Sequence, residues 1–374
     1  MTEVLSQRGL NRATLARQYL LSRARVRAID AIEHLGGMQS QAPLAPYVGL
    51  WTRLQGFAPV ELSELTQTRQ VVRLHLMRNT VHLVSARDCL DWCALFHQLR
   101  AAQFRAHFRS GMDAVDTSAL IDHAKRLLAE QPRTRAELGS LLAEHWPDID
   151  PGTLAFAATH HIALCQVTPR GIWGKHGPAA GAPVESWLGA PLRSVPVDAL
   201  MLRYLGAFGP ASVADIQLWS GLTRLREVAE RLPLRTFRTQ DGQLLYDLPG
   251  APRPPGDVPA PPRFLPEYDN LLLSHKDRTR VNPGNHAVPL PPGNGATTGP
   301  FSSTGSGRAP GRSGIRSCAS GPSPGCPART KTRCSPRPPS CGSSSLLGWP
   351  ATSSSANRRS LAGPSVAVDH SPCG

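Results

Sequence analysis

Gln39 and Gln41 stand one residue apart in HLGGMQSQAP, directly after a Gly36-Gly37 pair and directly before Pro43. A carboxamide neither gives nor takes a proton near neutral pH; it offers one acceptor oxygen, two N–H donors and a dipole. Such a pair can hold a water or a ligand oxygen and can face a developing charge, but it cannot do general acid or base work. Taken alone, two polar residues after a helix stop describe a solvated turn, so the case for chemistry depends on what carries them.

The elements around the pair are legible from periodicity. ATLARQYLL after Asn11 and IDAIEHL before Gly36-Gly37 have helical spacing, with Asn11 expected as the first cap. YVGLWTRLQ and VELSELTQTRQ predict two more helices. VVRLHLMRNTVHLVSARD alternates like a β-hairpin and ends in a capping box of Ser85 and Asp88 that opens another helix. Helices followed by a hairpin wing describe a winged helix-turn-helix.

The pattern repeats. SALIDHAKRLLAE, TRAELGSLLAEHW and GTLAFAATHHIAL read as three helices, and CQVTPRGIWG as two short strands about a Pro-Arg-Gly turn. A third copy runs through VDALMLRYLGAFG and ASVADIQLWSGLTRLREVAERL, with Ser212 as a cap and Gly221 in the turn; LRTFRTQDGQLLYDL closes it as a hairpin about Asp241-Gly242. The expected fold is therefore α+β, mainly helical, with three tandem winged helix-turn-helix units at 1–115, 116–192 and 193–250. A Pro/Gly-rich linker follows at 249–262, then a small C-terminal β segment at 263–300, where FLPEYDNLLLSHKDRTRV reads as strand and Asn294-Gly295 signals a hairpin.

The chain has 374 residues, a net charge of +14 and a pI of about 10.1, which points to a polyanionic partner, nucleic acid before membrane. The charge is uneven, because residues 282–374 hold nine Arg or Lys against a single acid, Asp369. From about residue 301 the composition is Ser, Pro, Gly, Arg and Cys, which cannot build a core. That tail, 301–374, reads either as disordered or as out of frame. Back-translated and read two bases later, PFSSTGSGRAPGRSG can give FLVDGFWPGTWKIG, and the same shift yields two further foldable phrases downstream, which places a frameshift near Pro300 to Ser302.

The amino terminus lacks the pattern of a signal peptide, and no run is long enough to span a bilayer, so a cytoplasmic protein is expected. No metal or cofactor is expected. Five cysteines (318, 326, 334, 341 and 373) fit no zinc framework, Cys89 and Cys93 read as small buried residues, and the adjacent His160 and His161 face different sides of a helix.

HLGGMQSQAP, LMRNTVHLVSARD and FLPEYDNLLLSHKDRTRV together resemble the winged-helix DNA glycosylases of the AlkZ and YcaQ type, over residues 8 to about 300. In that family a Gln, any residue, Gln or Asp, any residue, Pro pattern carries the chemistry, and Gln39-Ser40-Gln41-Ala42-Pro43 matches its AlkZ-like branch, which includes self-resistance enzymes of producers of DNA-alkylating antibiotics. The resemblance implies a C-shaped fold with a basic concave face for duplex DNA. It also implies hydrolysis of the N-glycosidic bond of N7-alkylated purines, with the protein acting as a monomer and without a cofactor. An N7-alkylated base is cationic and leaves without being protonated, so carboxamides can suffice; Gln41 is assigned to the water and Gln39 to orienting water or the sugar-phosphate backbone. Arg78 and His82 on the first hairpin are expected to contact phosphate or the site, and Arg278 and Arg280 to contact phosphate. The rival reading is a transcription regulator whose Arg-bearing helix at 222–232 enters a major groove.

Overall fold

Side-chain caps set half of the α-helix starts in the computed structural model, which describes residues 2–107, 112 and 115–283. The expected start at Asn11 is corrected: α1 (Gln7–Arg17) begins a turn earlier, where the Ser6 hydroxyl accepts from the Gly9 N–H. Asn11 lies inside α1 and donates to the Arg280 carbonyl at 2.6 Å. α2 (Ala28–His34) runs to Gly36 and Gly37, whose φ values of 68° and 83° suit glycine at a helix stop. α3 (Ala45–Arg53) and α4 (Pro59–Gln67) follow, each with proline in its first turn. α5 (Ala86–His107) opens where Ser85 Oγ accepts from the Asp88 N–H.

α6 (Thr117–Glu130), α7 (Arg135–Ala143) and α8 (Pro151–His161) start from Asp116, Thr134 and Asp150, and Thr134 with Glu137 completes a capping box. The short α9 (Val184–Leu188) precedes α10 (Val197–Phe208), α11 (Val213–Ser220) and α12 (Arg226–Arg231). Ser212 and Asp215 box the start of α11, and Gly221 at φ 81° ends it.

The strands are short: β1 (Val4–Leu5), β2 (Met38–Gln39), β3 (Val71–His75), β4 (Val81–Ser85), β5 (Leu164–Gln166), β6 (Gly181–Pro183), β7 (Arg235–Thr239) and β8 (Leu244–Asp247). They form two sheets. The order β2-β4-β3-β5-β6 joins the first hairpin to the strands after α8, and β1 adds in parallel to the β7-β8 hairpin. The chain is thus α+β and mainly helical, with helix groups followed by strands, as expected. The second wing departs from expectation, because only Cys165 and Gln166 of CQVTPRGIWG are strand, at the end of β5, whose wing partner is the later β6.

A large core packs Trp92 and Phe96 of α5 and Val84 of β4 with Tyr204, Phe208 and Trp219 of α10 and α11. A second fills α6, α7 and α8, and a third lies among α2, α3 and α4. The linker 249–262 is held along α1, since Arg8 donates to the Gly256 carbonyl at 2.6 Å and Arg17 to the Pro252 carbonyl at 3.2 Å.

The expected strand after the linker is not formed among the described residues. A 3-10 turn at Asn270–Leu272 takes its place, capped by Asp269, and the buried Ser274 and His275 follow it. The reason is tertiary. Asp269 accepts both terminal nitrogens of Arg53 at 2.9 Å, and this buried bidentate pair fixes the segment against α3. The Asn294-Gly295 hairpin and the tail from 301 lie outside the described residues. Among the described residues no helix is long and apolar enough to cross a membrane.

Candidate functional site

Gln39 closes β2 and pairs directly with His82 of β4, so the two side chains share a face of the sheet. Ser40 begins to continue that ladder, its N–H donating to the Val81 carbonyl at 2.8 Å. The return bond does not form. Arg73 of β3 takes the Ser40 carbonyl with Nη2 and the Ser40 hydroxyl with Nε, both at 2.8 Å. The Val81 N–H turns instead to Gln41 Oε1 at 3.3 Å. The sheet therefore ends at the motif because an arginine removes a strand carbonyl and a glutamine side chain replaces it.

Gln39 is held from the other side. Arg78 donates Nη2 to Gln39 Oε1 at 2.8 Å and Nη1 to the Trp219 carbonyl at 2.6 Å. Asn270 links the later segment to the same place, its Nδ2 donating to the Gly37 carbonyl at 3.3 Å. Guanidinium groups and backbone N–H groups only donate, so both carboxamide orientations are fixed by their partners. No carboxylate enters these bonds to the two glutamines and Ser40. Burial holds Arg73 and Arg78 down to about 10, with the Arg170 charge adding to the effect on Arg73.

The four basic residues expected to meet DNA divide. Arg78 is turned inward onto Gln39. His82 is fully buried on the sheet face it shares with Gln39; its Nδ1–H donates to the Thr80 carbonyl at 2.9 Å, and burial followed by the Arg78 charge lowers it to about 3. Arg280 is corrected, since its buried guanidinium donates to the Pro210 carbonyl at 2.9 Å and the Thr14 hydroxyl at 3.3 Å and so locks the segment onto α1. Arg278 is half-buried and its guanidinium makes no hydrogen bond among the described residues.

Sequence reasoning missed Arg73, Ser40 and Asn270. The signal available for Arg73 was a charged residue in the middle of an apolar strand, VVRLH.

A recess of about 10 Å³ lies beside Gln39, lined by Gly37, Met38, Arg53 and Asn270 among others, which is at most the size of one water. A larger cleft of about 570 Å³, lined by Asp30, Glu33, Arg87 and Arg203, contains neither glutamine. Gln39 is buried and Gln41 half-buried beside it. Their placement depends on Gly37. A Cβ there would stand 2.7 Å from a Val84 methyl and 3.2 Å from the Leu83 carbonyl, at a φ of 83°. Gly37→Ala is expected to lower stability by about 2 kcal/mol through crowding and left-handed strain. Thermal melting measures it, and an unchanged midpoint would show that β4 yields freely.

The α+β frame with an arginine-held Gln-x-Gln-x-Pro motif at a sheet end defines the class of site, and the comparisons define its family. The family model for DNA glycosylase AlkZ-like matches residues 32–307, which is most of the chain. This chain belongs to the AlkZ-like DNA glycosylase family, whose members act on DNA. Its fold is similar to that of Streptomyces sahachiroi DNA glycosylase AlkZ, with a TM-score of 0.56 over 66% of this chain and 70% of that one, at 19% identity. No curated protein sequence matches it. The regulator reading is set aside on this ground, and its proposed recognition helix is only the six-residue α12, where Arg231 is paired with Asp198.

Proposed function

We propose that the chain is a monofunctional DNA glycosylase that removes N7-alkylated purines from duplex DNA and leaves an abasic site. The observation that carries this reading is the orientation of Gln39 and Gln41, both fixed at the end of one sheet by groups that never titrate near neutral pH. The chemistry needs little more. Water supplies a hydroxyl to C1′, the glycosidic bond electrons neutralise the cationic base as it leaves, and the remaining proton passes to solvent. Gln41 orients the water, and both dipoles act on the transition state by preorganisation. Lysine chemistry is left out because Lys125, Lys175 and Lys276 all lie outside the motif and its hydrogen-bonding partners.

We read the helix groups and their strands as three winged helices presenting a basic concave face, with the half-buried Arg278 available to phosphate and the protein acting as a monomer. The tail from 301 we read as out of frame, and resequencing the gene tests that.

The function is tested by incubating the protein with duplex DNA carrying N7-methylguanine and scoring free base and abasic sites. The Gln39→Ala, Gln41→Ala double variant is expected to lose at least about a hundredfold in rate. Equal release by parent and double variant would remove the glutamines from the mechanism. A borohydride-trapped covalent adduct would refute the monofunctional assignment.

A further inference from the structure

The β3-β4 turn is built at a cost. Arg78 has φ 55° and ψ 17°, Asn79 has φ 55°, and the Thr80 N–H closes onto the Met77 carbonyl at 3.1 Å. A turn with positive φ at both central positions favours Asn and Gly. Asn79 fits it, whereas an arginine at the first position costs about 1 kcal/mol. Strain of this kind persists where surrounding contacts impose it, and here those contacts are identifiable. The turn sends the Arg78 guanidinium back along the sheet to the Trp219 carbonyl and to Gln39 Oε1. A third, weak contact reaches Asn270 Oδ1 at 3.5 Å.

The consequence falls on Gln39. Its oxygen is occupied by a cation that can only donate, so its Nε2 must point the other way. Among the described residues that Nε2 donates to nothing. A carboxamide whose oxygen is bonded to a guanidinium is polarised, and its N–H groups become stronger donors. We propose that Arg78 is a positioning residue that makes Gln39 a hydrogen-bond donor, aimed at an oxygen of the target nucleotide's sugar-phosphate, and that Arg78 acts through Gln39 without itself touching DNA. This rests on the glycosylase reading and sharpens it: the two glutamines differ in sense, and the one held by arginine does not orient the water.

A double-mutant cycle tests it. Single-turnover release of N7-methylguanine is measured for the parent, Arg78→Met, Gln39→Ala and the combined variant, alongside affinity for undamaged duplex across a salt series. Each single change is expected to slow release by about tenfold or more, and the combined variant to fall within about twofold of Gln39→Ala alone. Arg78→Lys, which can still donate to the glutamine oxygen, recovers most of the rate. The salt slope of binding to undamaged DNA stays unchanged throughout, because no variant removes a cation–phosphate contact.

Multiplicative losses in the combined variant would overturn the proposal, as would a salt slope smaller by about one in Arg78→Met, the mark of a lost phosphate contact. Gln39→Glu gives an arm that does not depend on Arg78→Met folding. It keeps the partner of Arg78 and replaces the outward donor by an acceptor, so it is expected to stay folded and lose about tenfold or more; a rate near the parent's would refute the donor role. A parent that binds DNA but releases no base would instead remove the glycosylase reading, and this proposal with it.

Discussion

Asp269→Asn is expected to destabilise the protein by about 3–5 kcal/mol, because it leaves the Arg53 charge buried without a counter-ion. The two side chains are almost wholly excluded from solvent, and both terminal nitrogens of Arg53 bond to the carboxylate at 2.9 Å. Little else compensates that guanidinium. Its Nε is already buried without a partner, and apart from the carboxylate it reaches only the Gly49 carbonyl at 3.1 Å and Gln18 Oε1 at 3.2 Å. Asp269 also caps the turn that presents Asn270 to Gly37 and Arg78, so the loss spreads to the motif. The melting midpoint should fall by about 10 °C, with the first proteolytic cut between residues 263 and 283. The Arg53→Met, Asp269→Leu pair, which removes both charges, should recover much of the loss. A midpoint within about 2 °C of the parent's for Asp269→Asn would mean that water reaches Arg53 and that the segment is not held by this pair.

How much of this was legible in the sequence varies with the range of the forces involved. Helices whose caps and periodicity are local were readable, including the cap at Ser212 and the start at Ser85 with Asp88. The Asp241-Gly242 hairpin was too. Strands of two or three residues such as β2, β5 and β6 carry no alternation to detect, so the joining of the first hairpin to β5 and β6 could not be seen. Three leucines at 271–273 read as strand, yet the segment is a turn because Arg53 and Thr14 hold it across more than 200 residues of chain.

The site followed the same division. Gln39 and Gln41 were visible as a pattern, while the roles of Arg73, Arg78 and Arg280 were hidden, since an arginine in a basic chain reads as a phosphate contact until burial and partners are known. The burial of His82 was hidden for the related reason that a histidine on a wing strand is polar in sequence.

Those buried histidines make acid the condition under which the protein should fail. Burial holds His75 and His160 down to about 4 and His82 and His275 down to about 3, each below the ordinary value of 6.5. A base depressed in the folded state stabilises the fold above its unfolded pKa, and that contribution drains away as pH falls toward the folded value. Each group therefore withdraws up to about 1.4 kcal/mol per pH unit below 6.5. Asp88 opposes them. Burial raises it to about 6, so the folded state takes up its proton first and gains stability between about 6 and 4, but it is one group against four. Since a domain has only about 5–15 kcal/mol to lose, cooperative unfolding is expected with a midpoint near pH 4.5. Melting midpoints recorded from pH 8 to pH 4 measure it, and His82→Gln should flatten the curve. A level curve down to pH 5 would mean that these histidines are hydrated. The same measurement separates stability from chemistry, because carboxamides do not titrate. Base release by folded protein should be independent of pH from about 6.5 to 9, and a bell-shaped profile in that range would require an ionising acid or base that Gln39 and Gln41 cannot supply.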